Sequence, residues 1–223
     1  MLFRLLILAA LAVVPFVTLA QGQVERFQSG THYFPIDPPQ PGWVGDRIEV
    51  VEAFSYACAA CAAFEPHARE WRKRQPANVQ FTLLPVQFNA TWEMFARGYY
   101  AAEALGIAEK AHQAVFDGVH VKRDLRTLDD LAKVYAQFGK TAAQFLAATK
   151  SFGVEAKVKR AKLMAPRYQV EGTPMLVVAG KYRITTKSAG SYAQMFDVAD
   201  FLIAREAAAR QSAPSAAAAG AGG

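Results

Sequence analysis

Cysteine is almost absent from this chain, and that scarcity narrows its chemistry. The 223 residues contain two cysteines, Cys58 and Cys61, three positions apart. A structural zinc site takes about four ligands, and neither a second cysteine pair nor His67 completes such a set. Covalent haem attachment needs a histidine directly after the second cysteine, where this chain has Ala62. We therefore expect no metal site and no bound cofactor.

Nucleic-acid-binding motifs are missing as well, although the chain is basic. The net charge is +6 and the isoelectric point is about 9.4. The cations are scattered over several segments, such as 69–74 and 157–162. Nucleic-acid binding would need this charge beside aromatic residues or within a recognised module, and the sequence has neither. The cations are expected on solvated helix faces, and no nucleic-acid partner is expected.

Long apolar runs are confined to the N-terminus. A short positive start ending at Arg4 precedes an apolar run from Leu5 to Val14, and small residues lead to Ala20. This layout is typical of a secretory signal peptide, with cleavage expected after Ala20. The alternative is an uncleaved membrane anchor, because residues 2–19 together approach the length of a bilayer span. Either way, the rest of the chain is expected outside the cytoplasm.

The remaining chain alternates between strand and helix signals. Arg47 to Phe54 predicts a buried strand, the cysteines open a helix, and Val79 to Phe88 predicts a second strand. A helical block follows over 91–168, and a hairpin from Met175 to Thr185 and a last helix complete the order. This order predicts an α/β sheet interrupted by a helical insertion.

The position of the cysteine pair predicts redox chemistry. A helix N-terminus carries unpaired N–H groups and a partial positive charge, which favour a thiolate at Cys58. Cys61, one turn later, is placed to attack a mixed disulfide at Cys58. A disulfide here would close a very small loop, and stabilisation grows with loop size. An inert structural staple is therefore the weaker alternative.

Two segments of this chain resemble the DsbA family of periplasmic disulfide oxidases. They are Glu52-Ala-Phe-Ser-Tyr-Ala-Cys58-Ala-Ala-Cys61 and Gly172-Thr173-Pro174. Similar stretches at 104–110, 115–119 and 180–183 extend the resemblance over about residues 27–205. The family resemblance implies an α/β thioredoxin fold with an inserted all-helical subdomain. The expected segments are a signal peptide at 1–20, the first part of the thioredoxin fold at 21–90, the helical insertion at 91–168, the second part at 169–206, and a disordered Ala- and Gly-rich tail at 207–223.

The resemblance also implies roles for particular residues. Cys58 corresponds to the nucleophile and Cys61 to the resolving thiol. Pro174 corresponds to a cis-proline, and Thr173 to a residue whose backbone contacts a bound substrate strand. Glu52 falls where the family has a buried acid that relays protons to or from Cys61. The alternative for Glu52 is an edge or loop carboxylate.

The chain departs from the family pattern at the residues that tune the redox pair. The oxidases usually have Pro-His between the cysteines, whereas this chain has Ala59 and Ala60. Leu83 occupies the position expected for a lysine partner of the buried acid. Without the histidine, the Cys58 thiolate loses a positive partner, and since thiolate stabilisation makes such a pair oxidising, we expect a weaker oxidant than is typical of the family.

The leading functional hypothesis is a periplasmic oxidoreductase that donates a Cys58–Cys61 disulfide to unfolded or partly folded secreted proteins. The resemblance implies reoxidation by a quinone-linked membrane protein of the DsbB type, and a monomer is expected. One alternative is a reductase or isomerase of the same fold, in which the direction of electron transfer is reversed. The other is a peptide-binding module whose cysteines have no redox role.

Overall fold

The chain folds around a mixed sheet whose longest strand leads into the cysteine pair. A computed structural model describes residues 25–212, and the expected signal peptide lies outside them. The strands are β1 (Phe34–Pro35), β2 (Trp43–Val44), β3 (Arg47–Phe54), β4 (Val79–Pro85), β5 (Met175–Val178) and β6 (Tyr182–Thr185). The order is β1-β6-β5-β3-β2, and β4 pairs with β3 in parallel while the other pairs are antiparallel.

The helices fall into two groups. In the thioredoxin part they are α1 (Ala59–Arg74), α7 (Thr186–Ala189) and α8 (Tyr192–Ser212). In the insertion they are α2 (Ala90–Ala104), α3 (Ala108–Asp117), α4 (Leu128–Tyr135), α5 (Ala142–Thr149) and α6 (Phe152–Arg167), with a π-helical turn at Gly118–Lys122 and a 3-10 turn at Ala136–Phe138. None of the helices between residues 25 and 212 is both long and apolar enough to span a bilayer.

The central strand β3 is buried on both faces, and its alternation divides the core. Ile48 and Val50 pack with residues of α1 and α8, including Trp71 and Leu202. Val51 and Ala53 belong to the cluster that contains the buried residues of the insertion. Because successive side chains of a strand point to opposite faces, β3 joins two cores. Its C-terminal end, where the cysteines follow, therefore lies at the seam between them.

The main strands and helices expected from sequence are present, but two of the expected bounds differ. The second strand ends at Pro85 rather than at Phe88. The expected tail from Ala207 is wrong at its start, because α8 continues to Ser212. Alanine is the best helix former, and Arg210 fastens this last part of the helix by a 2.9 Å ion pair with Asp46 and by stacking 4.2 Å over the Trp43 ring. Residues 213–223 of the expected tail lie outside the described part of the chain.

Candidate active site

Cys58 is the N-cap of α1. The chain leaves β3 at Phe54, turns through Ser55 to Ala57, and reaches Cys58 in an extended conformation, with φ −91° and ψ 112°. The turn is fastened by the Cys58 N–H, which donates to the Ser55 carbonyl at 3.0 Å. The Cys61 N–H donates to Cys58 Sγ at 3.3 Å. A sulfur atom therefore stands where an N-cap side chain normally satisfies an unpaired helical amide.

The two thiols have opposite environments. Cys58 is half-buried and Cys61 has no exposed surface. Hydrogen bonding from the Cys61 thiol, helped by the amides of Cys61 and Ala60, lowers the pKa of Cys58 to about 5. Burial raises the pKa of Cys61 far above its ordinary value, and the hydrogen bond to Cys58 acts in the same direction. At neutral pH the pair therefore holds one thiolate, on the accessible sulfur.

The loop before β5 brings the predicted substrate-binding residues to this sulfur. The Thr173–Pro174 peptide bond is cis, as the resemblance predicts. Cys58 Sγ lies 3.5 Å from the Thr173 carbonyl oxygen, across 115 positions of sequence. A groove of about 210 Å³ opens beside Pro174 and is lined by Glu171, Arg183 and Lys187 among others. Tertiary folding thus places the half-buried Thr173, which lines a shallow groove, beside the more reactive thiol.

Glu52 lies within β3 and is buried, as the resemblance implies, so the alternative of an edge or loop carboxylate is wrong. It exposes 1% of its surface, and its Oε2 atom has no hydrogen-bond partner among residues 25–212. Burial raises the pKa of Glu52 well above its ordinary value, and the charge of Glu65 adds to the shift. Leu83 is its register partner on β4, which agrees with the expected loss of a lysine at this position.

A second polar cluster lies at the seam between α1 and the insertion, and sequence reasoning missed it. Glu65 accepts from Arg72 at 2.7 Å and lies 3.4 Å from His112 Nε2, while His112 Nδ1 lies 2.8 Å from the Tyr56 hydroxyl. His120 Nε2 lies 2.8 Å from the Tyr56 carbonyl. The available signal was the position of Glu65 on the buried stripe of α1, beside Cys61, Phe64, Ala68 and Trp71, where a carboxylate needs a partner.

Residues 25–212 contain no group of three or more His, Cys, Asp or Glu side chains that could hold a metal ion.

Comparison with known proteins agrees with this geometry. The family described as DSBA-like thioredoxin domain matches residues 49–198. The thiol:disulfide interchange protein DsbA of Pseudomonas aeruginosa is 35% identical over 207 residues, covering 92% of this chain and 98% of that protein. The DsbA of Azotobacter vinelandii is 38% identical over 172 residues, covering 77% of this chain and 78% of that protein.

Solved structures give the same result. The crystal structure of Pseudomonas aeruginosa DsbA superposes with a TM-score of 0.80 at 35% identity, covering 85% of this chain and 99% of that one. The structure of Proteus mirabilis DsbA with a non-covalently bound peptide, PWATCDS, superposes with a TM-score of 0.70 at 25% identity, covering 80% and 98%. The resemblance, and the thioredoxin fold with a helical insertion, are confirmed: this chain belongs to the DsbA family of thiol:disulfide interchange proteins.

Proposed function

We propose that this protein is a disulfide oxidoreductase that donates a Cys58–Cys61 disulfide to substrate proteins. The observation that carries the proposal is the contrast between the two sulfurs, since the pKa of Cys58 falls to about 5 while that of Cys61 rises. A thiolate of low pKa is a good leaving group in disulfide exchange. Stabilising the Cys58 thiolate favours the reduced enzyme, and this makes its disulfide oxidising.

The reaction takes two exchanges. A substrate thiolate attacks Cys58 Sγ, the Cys58–Cys61 bond breaks, and Cys61 leaves as a thiolate that takes up a proton. A second substrate thiolate then attacks the substrate sulfur of the mixed disulfide, and Cys58 leaves as a thiolate. The substrate loses two electrons and gains a disulfide, while the enzyme disulfide becomes one thiol and one thiolate.

Glu52 is the proposed source of the proton that Cys61 requires. Its raised pKa favours the protonated acid, and its negative charge raises the pKa of Cys61, so the two groups interact across the buried floor of the site. Proton transfer to the leaving sulfur neutralises the Cys61 thiolate and leaves the negative charge on the Glu52 carboxylate. In the reverse direction the same carboxylate accepts the proton when Cys61 attacks.

Substrates are proposed to be unfolded or partly folded secreted proteins. The Thr173 carbonyl, 3.5 Å from Cys58 Sγ, offers a backbone acceptor to an extended peptide. The groove beside the buried Pro174 offers a surface for the side chains of that peptide. The peptide bound to Proteus mirabilis DsbA contains a cysteine, which supports binding of an extended cysteine-containing segment here. The N-terminal sequence and the family support a periplasmic location, and the family supports a DsbB-type reoxidant.

Trapping of the mixed disulfide tests the exchange chemistry. In a Cys61→Ala variant, the resolving thiol is gone, so a peptide whose cysteine is presented as a disulfide with a small thiol should exchange once, release that thiol and accumulate as a mixed disulfide at Cys58. The Cys58→Ala variant is the matched control and should trap none. Failure of the Cys61→Ala variant to accumulate any mixed disulfide would favour the peptide-binding alternative without redox chemistry.

The reduction potential tests whether the enzyme oxidises or reduces its substrates. The strongly oxidising member of this family has a potential of about −120 mV and thioredoxin about −270 mV. We expect a value between them, because Ala59 and Ala60 supply no cation to the Cys58 thiolate. Replacing Ala60 with His should make the pair more oxidising and lower the pKa of Cys58 further. A wild-type potential at the thioredoxin value would favour the reductase alternative.

A further inference from the structure

Tyr56 is held at both ends by histidines of the helical insertion. It lies in the turn between β3 and α1, two residues before Cys58, and exposes 1% of its surface. Its hydroxyl lies 2.8 Å from His112 Nδ1 on α3, and its carbonyl lies 2.8 Å from His120 Nε2 in the π-helical turn. The aromatic ring packs edge-on against Phe54 and Phe116. The turn that carries the nucleophile is thus fixed from the insertion, through side chain and backbone together.

The hydrogen positions in this arrangement follow from the partners. A carbonyl oxygen only accepts, so His120 Nε2 carries the hydrogen and donates to Tyr56. The Glu65 carboxylate likewise only accepts when ionised. Although burial alone would raise the pKa of Glu65, His112 and Arg72 outweigh it and hold that pKa below its ordinary value. His112 Nε2 therefore donates towards Glu65, and its Nδ1 accepts from the Tyr56 hydroxyl.

The geometry of the insertion places both histidines on one side. His112, Phe116 and His120 are spaced by four residues along α3 and the π-helical turn. Phe116 lies edge-on to His112 at 5.0 Å and stacks with His120 at 6.3 Å, so it separates the two rings and orients both. A π-helical turn is uncommon and is often found at functional sites. Here it carries the ring that reaches the backbone of the active-site turn.

We propose that His112 and His120 are positioning residues for Cys58, which hold the Ser55–Cys58 turn so that the Cys58 sulfur stays on the amides of α1. The inference rests on the proposed function and assigns the helical insertion a part in it. The turn has few other restraints of its own, namely the Cys58 N–H bond to the Ser55 carbonyl and the Ala57 N–H bond to Ser55 Oγ at 3.1 Å. When the Tyr56 carbonyl is released, the sulfur–amide bond at 3.3 Å is no longer fixed, and the thiolate loses part of its stabilisation.

The test compares two substitutions of His120. His120→Phe keeps an aromatic ring against Phe116 but has no donor, whereas His120→Gln places an amide N–H near the position of Nε2. The rate of Cys58 alkylation by iodoacetamide is measured from about pH 4 to about pH 8, where thiolate formation controls it. For the Phe variant we expect the thiol–thiolate equilibrium of Cys58 to shift about three- to tenfold towards thiol, the range expected for one lost hydrogen bond. The Gln variant should recover most of the shift.

The controls distinguish a loss of Cys58 positioning from a loss of folding and from a failure of the proposed function. His32→Gln removes a histidine that accepts from the Gln28 amide far from Cys58 in sequence, and it should leave the alkylation profile unchanged. Circular dichroism on each variant checks that it is folded. A folded His120→Phe variant with the wild-type profile, or Phe and Gln variants with equal shifts, would overturn the inference. If wild-type Cys58 itself reacts no faster than free cysteine, it is the proposed function that fails.

The His112 end is tested by a double-mutant cycle. Tyr56→Phe removes only the hydroxyl, and His112→Phe removes the acceptor. If the two act through one hydrogen bond, the shift in the Cys58 profile of the double variant should equal that of either single variant. Additive shifts would show that the hydroxyl and the ring act separately, and would remove His112 from the proposal.

Discussion

Two buried carboxylates near Cys61 have opposite electrostatic characters. Glu52 on β3 and Glu65 on α1 expose 1% and 3% of their surfaces. Glu52 has one oxygen without a partner among the described residues, and burial raises its pKa. Glu65 is bound by Arg72 and approached by His112, and its pKa lies below the ordinary value. Both carboxylates are buried, so the neighbouring charged groups decide whether the pKa is raised or lowered.

This difference separates a proton donor from a structural ion pair. A carboxyl with a raised pKa stores a proton that a leaving thiolate can take. A carboxylate with a lowered pKa stays charged, and so it anchors a guanidinium and orients a histidine. The proposed proton donor beneath Cys61 and the anchoring carboxylate one helical turn beyond it are therefore residues of the same type.

The largest effect is expected from removing the anchored carboxylate. In Glu65→Ala the Arg72 guanidinium and the His112 ring lose their shared acceptor, and breaking a buried pair by removing one member leaves an uncompensated charge. We expect the free energy of unfolding to fall by about 3 kcal/mol, measured by urea denaturation. Glu65→Gln, which retains an acceptor oxygen, should lose less. Equal losses in both variants would show that charge is the whole effect.

A smaller effect, with a characteristic pH dependence, is expected for Glu52→Gln. The pKa of Glu52 is raised in the folded state, so the wild type loses stability as the pH rises from about 4.3, the value in an unfolded chain, towards the folded pKa. The Gln variant lacks this loss and should become more stable relative to wild type by about 1–2 kcal/mol near neutral pH. Denaturation at several pH values measures it.

Glu65 should show the opposite slope. Its folded pKa is lowered, so its contribution is present above about pH 4.3 and is lost as the pH falls through the folded pKa. The difference between wild type and Glu65→Gln should therefore shrink in acid. Parallel slopes for the two Gln variants would contradict the comparison.

Leu83→Lys is expected to give Glu52 a cationic partner, as Glu65 has in the wild type. The side chain would stand beside Glu52 in the β3–β4 register, and Leu83 also lines a cavity of about 470 Å³ with Arg72 and His112, which leaves room for a longer chain. A nearby cation lowers a carboxyl pKa by about 1–3 units. The loss of stability that Glu52 causes as the pH rises should become smaller or turn into a gain. The free energy of unfolding at neutral pH should change by about 1 kcal/mol as a result. Leu83→Met is the control for packing.

The smallest effect is expected at Glu70, also on α1. Its ion pair with Lys73 is 2.8 Å long, close to the 2.7 Å of Arg72 and Glu65, but both of its side chains are more than 60% exposed. Exposed pairs contribute little because water and salt screen them. Glu70→Gln should leave the urea midpoint unchanged within error. A loss comparable to that of Glu65→Gln would show that distance matters more than burial.

Local sequence patterns predicted most of the framework and the centre of the site. The expected strands Arg47–Phe54 and Met175–Val178 are present with those bounds, because short, largely apolar runs bounded by turn residues have few alternatives in a two-faced core. Thr141 and Gln144, three positions apart, match the capping-box pattern and form that box at α5, because the motif needs only neighbours in sequence. The short strands β1 and β2 were missed, since two-residue pairings carry no periodic signal.

The sequence by itself determined the reactive pair, because a strand followed at once by Cys58, two alanines and Cys61 places one sulfur at the N-terminus of a helix. Only the tertiary structure decided how the buried acids behave. The sequence does not distinguish the ionisation of Glu52 from that of Glu65. Their pKa values diverge because Arg72 and His112 lie beside Glu65, whereas Leu83 lies beside Glu52. Electrostatic energies in a desolvated interior depend on distances between residues far apart in sequence, and no local pattern encodes them.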